Sequence, residues 1–315
     1  MEIRYGRKKN GIRLELKKKI DDWIRSIDDE EVRKLTANNV IITGGAIASM
    51  LLGESPHDYD IYLKTKESTK ALAEYYVKKF MELNGDKFNG MEVKYIPEVR
   101  EEKLKNIKGT EEERIVIFMK SAGVASETQD EYRYYELGGM DDATEFAATL
   151  AEEIKDDSKP RYRPIFLSQN AITLSDKMQI VIRFYGNPDE IHENYDFQHA
   201  KNYYDYDKNH LHLDPEALEC LLSRTLIYRG SLYPIASIFR MKKFLERGWR
   251  ISAGQQLKIM WQISELDLKN MDVVREMLVG VDMAYLYQLV DALSKTDPEK
   301  IDSAYVSTII DKIFD

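Results

Sequence analysis

Apolar positions recur at helical spacing from residue 12 to residue 36, with Leu14, Ile20, Trp23 and Ile24 on one side, so an amphipathic helix is predicted there. Val40-Ile41-Ile42 is a short continuous apolar run of the kind a buried strand shows. Ala46 to Leu52 returns to the helical pattern and closes at Gly53, a C-cap residue. A polar turn, Glu54 to His57, leads to Asp58-Tyr59-Asp60-Ile61-Tyr62-Leu63, which alternates as a strand does. Residues 67 to 83 predict a second long helix, with Leu72, Tyr75, Tyr76 and Phe80 towards a core.

Further on, Met91 to Ile96 reads as a strand that stops at Pro97. Residues 98 to 112 are dense in charge and predict an exposed loop or helix, followed by a buried strand at Arg114 to Met119. Met140 to Ile154 carries a helix pattern in a poorly organised region. Pro164 to Leu174 and Met178 to Phe184 read as paired strands joined at Ser175-Asp176-Lys177. Asp214-Pro215-Glu216 has a cap, a proline at the first helical position and an acid in the first turn. From there the patterns are helical, broken at Gly230-Ser231, Gly248, Gly254 and Pro298, which predicts about five helices. The expected fold is α+β: a mixed sheet with flanking helices over residues 1–213, an insertion at about 98–160, and a helical domain over 214–315.

Composition narrows the class. The chain has 315 residues, 43% of them hydrophobic, enough for a sizeable core. Its net charge of −9 makes it a poor general polyanion binder, so any nucleic-acid contact must be a local basic patch. The single cysteine, Cys220, lies in a helical pattern and reads as a small core residue; one cysteine forms no intrachain disulfide framework. No apolar run is long enough to span a membrane, and the N-terminal residues lack a signal-peptide core, so a soluble cytoplasmic protein is expected.

The chemistry concentrates in Val40 to Leu63. Successive strand side chains point to opposite faces, so Asp58 and Asp60 share one. Two neighbouring carboxylates repel, and a divalent cation resolves the repulsion. Gly44 and Gly45, just ahead of a helix, allow close backbone approach to a phosphate. The stretch resembles the DNA polymerase β-like nucleotidyltransferase superfamily: an apolar run, Gly-Gly, a spacer, then Asp-x-Asp on a strand. Positions 46 to 57, twelve residues, form the spacer. The likeness is nearest to the head domain of bacterial-type tRNA nucleotidyltransferases and poly(A) polymerases, whose frame Ile47, Leu51, Leu52, Gly53, Asp58 and Asp60 fit. Ala48 and Ser49 stand where that family has Arg-Asp.

The resemblance implies Mg²⁺ or Mn²⁺ held by Asp58, Asp60 and a third carboxylate from a later strand. Asp196, between Tyr195 and Phe197, is the choice for that acid, and Glu92 is its rival. A triphosphate is expected against Gly44, Gly45 and Ser49, with Lys120 and Ser121, in a small-residue turn, as further contacts, the alternative there being an ordinary surface turn. Arg224 to Arg250 holds seven cations against Glu246 alone, with Tyr228, Tyr233, Phe239 and Trp249 interleaved. Arg240, Lys242, Lys243 and Arg247 therefore become candidate RNA contacts, the alternative being a core-facing aromatic stripe with solvated cations. His192, His199, His210 and His212 complete no zinc pattern. Two functions follow. One is two-metal, Mg-dependent transfer of a nucleoside monophosphate to an RNA 3′ end, a protein or a small molecule, with Asp58 and Asp60 holding two Mg²⁺; the other is a non-catalytic nucleotide- or protein-binding module that keeps the fold.

Overall fold

The computed structural model describes residues 6–84, 97–105, 111–118 and 160–268, with single positions beyond. The described residues divide into two compact units. The first takes those up to Glu193 and from His199 to Leu221; the second takes Asn194–Gln198 and those from Leu222 onward.

In the first unit α1 (Lys9–Ser26) and α2 (Glu30–Ala37) replace the single helix expected over 12–36. Ile27 is extended and fully buried, and the Asp29 carboxylate accepts from the Val32 amide at 3.0 Å, capping a new helix. Leu14 faces outward at 56% exposure, while Ile20, Trp23 and Ile24 are buried as expected. The chain continues through β1 (Val40–Thr43), α3 (Gly45–Leu51), β2 (Tyr59–Leu63) and α4 (Lys66–Leu83). Trp23 Nε1 donates to Tyr76 Oη at 2.7 Å, joining α1 to α4 inside the core.

Residues expected to be an exposed loop or helix instead form β3 (Glu98–Lys105), antiparallel to β4 (Glu111–Phe118). Lysines and glutamates serve in such a ribbon because its outer side stays wet: Glu101 and Glu113 pair with Lys66, Lys70 and Lys103. The strand expected at Pro164–Leu174 is two, β5 (Pro164–Leu167) and β6 (Ala171–Leu174), and β7 spans Met178–Tyr185. A tight turn joins β6 to β7 with Asp176 and Lys177 both in the left-handed region, and Lys19 Nζ donates to the Asp176 carbonyl at 2.8 Å. Then come α5 (Pro188–His192), β8 (Tyr203–Asp205), β9 (His210–His212) and α6 (Pro215–Ser223).

The main sheet runs β5-β6-β7-β2-β1-β8-β9 and is mixed, since β2 and β7 are parallel while the other neighbours are antiparallel. The expected α+β class, a mixed sheet with flanking helices, is the one observed. One face carries Val40, Ile42, Ile61, Leu63, Ile172, Ile180 and Tyr204, all in the core with the inward sides of α1 and α4. The second unit contains β10 (Thr225–Leu226) and β11 (Arg250–Ile251), paired parallel, with α7 (Pro234–Glu246) and α8 (Ala253–Ser264). Gly254, expected as a break, lies inside α8.

Candidate functional site

The site is built where β1 ends and β2 begins. The two strands are antiparallel with Thr43 opposite Asp60, so the chain leaving β1 turns at Gly44 at the end of the two central strands where Asp58 arrives. Gly44 has φ 92° and ψ −151°, a conformation essentially reserved for glycine. Its amide donates to the Ala200 carbonyl at 3.1 Å, which ties the turn to the chain ahead of β8. Gly45 opens α3, and a Cβ built on it meets nothing within 4 Å. Among the described residues nothing demands a glycine there, and the space beside it is open. Ser49, on α3, is buried.

Asp58 is exposed and immediately precedes β2; Asp60 is half-buried within it. Tyr59 between them points the other way, into the core, where Lys19 Nζ lies 4.6 Å from its ring centroid. Burial lowers the Lys19 ammonium below the usual lysine range.

Directly paired residues on adjacent strands share a face, so the registers define a row. It runs Thr173, Gln179, Asp60, Thr43, Tyr203, His212 across β6, β7, β2, β1, β8 and β9. Thr43 is fully buried; its hydroxyl lies 2.8 Å from His192 Nε2 and 2.9 Å from the Asn202 carbonyl, to which it donates. Burial pushes the His192 imidazole down to about 4, so it is neutral at physiological pH. Tyr203 and His212 stack with ring centroids 4.9 Å apart. Sequence reasoning missed Gln179 and Thr43 as strand neighbours of Asp60, and His192 as the partner of Thr43. The polar alternation of Met178-Gln179-Ile180 was a signal for one outward face, but not for which strand lay alongside.

The other candidates are placed differently. Asp196 lies in an irregular segment of the second unit, not on a strand. Its Oδ2 accepts from Arg240 Nη1 at 2.6 Å, and its carbonyl accepts from the Arg229 amide at 2.7 Å. Arg240 is thus engaged with a protein carboxylate. Lys242 lies 3.9 Å from Glu246, Lys243 is exposed, and the exposed Arg247 sits 5.7 Å from the Phe244 ring centroid. Tyr228, Tyr233, Phe239 and Trp249 are all buried, so these aromatics pack the second unit and do not offer stacking surfaces. Glu92, Lys120 and Ser121 fall outside the described residues. Among the described residues, no three His, Cys, Asp or Glu side chains gather as a metal-binding group.

The fold and site define an α+β protein with a glycine turn and two carboxylates at one end of two central strands. Residues 14–224 match the model of the Gabija anti-defense 2 family, and the chain belongs to that family. No curated protein matches the chain. Among solved structures it is similar to a Thermotoga maritima CCA-adding enzyme complexed with tRNA, at 12% identity and TM-score 0.36, over 92% of this chain and 58% of that one. A CCA-adding enzyme in complex with CTP matches at 13% identity and TM-score 0.36, over 93% and 55%. A tRNA-processing enzyme with CTP matches at 13% identity and TM-score 0.34, over 89% and 68%. The chain thus spans little more than half the length of the first two.

Proposed function

We propose that the chain binds a nucleoside triphosphate against the Gly44–Gly45 turn and the Asp58–Asp60 face and transfers its nucleoside monophosphate to an acceptor, in the service of the anti-defense role that its family's name states. The observation that carries this reading is the β1–β2 register: Thr43 lies opposite Asp60, so the double-glycine turn and both carboxylates occupy one end of two adjacent strands. The open space at Gly45 suits a phosphate.

Asp58 and Asp60 suit a magnesium ion, which keeps several waters and takes one or two carboxylates together with triphosphate oxygens. Such an ion would neutralise triphosphate charge and polarise the α-phosphorus. The chain's own part is to hold that complex at the strand end that carries Thr43, Asp60 and Gln179. The acceptor's oxygen would bond to the α-phosphorus and pyrophosphate would leave. For the acceptor, an RNA end is supported by the exposed Lys243 and Arg247, while the buried aromatics and the engaged Arg240 withdraw part of that support.

A second reading, a nucleotide-binding module without transfer, is favoured by one observation: the carboxylate chosen as third ligand, Asp196, is paired with Arg240. Incubation with each α-³²P-labelled nucleoside triphosphate, Mg²⁺, RNA and protein acceptors separates the two. Label in an acceptor, lost in Asp58→Asn/Asp60→Asn, is expected for a transferase. Nucleotide bound with no label transferred would support the module, and no nucleotide bound at all would overturn both.

A further inference from the structure

At the candidate site three strands lie side by side in the order β1, β2, β7. Gly44 and Gly45 follow the first, Asp58 and Asp60 open the second, and the third begins at Met178, beside Tyr59. The β2–β7 pairing carries one residue further: the Tyr59 amide donates to the Lys177 carbonyl at 2.8 Å, so Lys177 stands next to Asp58. Lys177 is exposed, and its ammonium donates to the Pro56 carbonyl at 3.2 Å, in the polar turn that delivers Asp58. An ammonium has three donors, so this neutral partner leaves its charge intact and two donors for an anion. The Lys177 backbone is at φ 60°, a left-handed conformation that a short Asp or Asn tolerates and a lysine does not favour. Strain of this kind collects at functional positions. Lys19 and Arg161 flank the same turn: Lys19 Nζ donates to the Asp176 carbonyl and Arg161 Nε to Asp176 Oδ1, each at 2.8 Å. Besides burial, the charges of Arg161 and Lys177 hold the Lys19 ammonium down, so the three cations feel one another across the turn.

In-line displacement puts the attacking oxygen across the α-phosphorus from the leaving pyrophosphate. With the triphosphate tail at Gly44–Gly45, on the β1 side, the acceptor arrives from the β7 side, where Lys177 stands. We propose that Lys177 binds a phosphate of the acceptor, and that the acceptor is a polynucleotide whose 3′ end reaches Asp58 and Asp60 from that side. The inference rests on the triphosphate-binding reading above and names the acceptor that it leaves open. The 3′ hydroxyl oxygen bonds to the α-phosphorus, its proton passes to water, and the bond to pyrophosphate breaks on the β1 side.

The test measures binding and needs no turnover. The full chain is saturated with Mg²⁺ and a non-hydrolysable nucleoside triphosphate analogue, whose own affinity is measured separately. It is then titrated with 5′-labelled single-stranded RNA and DNA of one sequence, and anisotropy is followed against salt. Binding of at least one strand is expected. Lys177→Gln should weaken it and flatten the salt slope by about 0.7, one phosphate's share, while Lys177→Arg keeps it. Lys177→Gly, for which φ 60° is unstrained, should fold and show the same loss, which separates lost contact from misfolding. A neutral methylphosphonate at one of the last two phosphates before the 3′ end should weaken wild-type binding but not that of Lys177→Gln; one at the 5′ end should weaken both alike. Nucleotide affinity should be the same in every variant. Strand binding that Lys177→Gln leaves unchanged, or that couples Lys177 only to 5′ phosphates, would overturn the inference and leave triphosphate binding standing. Nucleotide bound with neither strand bound would do the same. No nucleotide bound would overturn the binding reading and the acceptor site with it.

Discussion

At the scale of single residues, the two glycines are glycines for different reasons. Gly44 sits at φ 92°, ψ −151°, where any Cβ is strained, so Gly44→Ala is expected to cost about 1–3 kcal/mol in denaturant melts. Gly45 has open space, and an alanine in a helix is favoured over glycine by up to about 1 kcal/mol, so Gly45→Ala should fold at least as well as wild type. What it should lose is ligand stabilisation: the rise in Tm on adding nucleotide should shrink. An unchanged rise would make Gly45 a turn residue only. His192 gives a pH signature. Its folded pKa of about 4 lies below the ordinary histidine value of 6.5, so the unfolded chain holds more protons between those values. Stability from its neutral form is complete above pH 6.5 and falls as pH drops towards 4, by about 3 kcal/mol in total. His192→Gln should flatten that part of the stability–pH curve, measured by urea unfolding. The Gly-Gly and Asp-x-Asp spacing was legible because each is a local pattern; Thr43 with His192 was not, since 149 positions separate them.

At the scale of elements, local periodicity found β1, α3, β2, α4 and β7, whose apolar faces repeat within a few residues. It missed β3, because a charged ribbon has little apolar alternation and its pairing with β4 decides the structure. It could not see Gln179 beside Asp60, because that neighbour depends on β2 pairing with a strand more than a hundred residues later. In α7, Arg240 holds Asp196, whose side chain is 12% exposed. Removing the cation leaves a largely desolvated carboxylate alone, so Arg240→Gln should destabilise by about 1–3 kcal/mol. Asp196→Asn should recover part of the loss in the double variant, and a double-mutant cycle by thermal melting gives the coupling. Purely additive effects would show that the pair contributes nothing to stability.

At the scale of the whole molecule, an acidic chain meets nucleic acid only through local positive charge. With Arg240 engaged, Lys243 and Arg247 are the exposed cations of the α7 end. Lys243→Gln/Arg247→Gln should weaken single-stranded RNA binding and flatten its salt slope by about 0.7 for each phosphate no longer neutralised, followed by fluorescence anisotropy. Triphosphate affinity should be unchanged. Wild-type binding that does not fall with salt would point to a protein or small-molecule acceptor.

The two-faced character of β2 also bears on how such a gene can drift. Val40, Ile42, Ile61 and Ile180 line one side of the sheet, Asp60 and Gln179 the other, and a register slip of one residue exchanges them. Losing or gaining one codon within Tyr59–Leu63 would turn the acid into the apolar layer, whereas the polar turn at Glu54–His57 can change length without moving it. A library of single-codon insertions and deletions, sorted for folded protein, should therefore be depleted across the strand and populated across the turn.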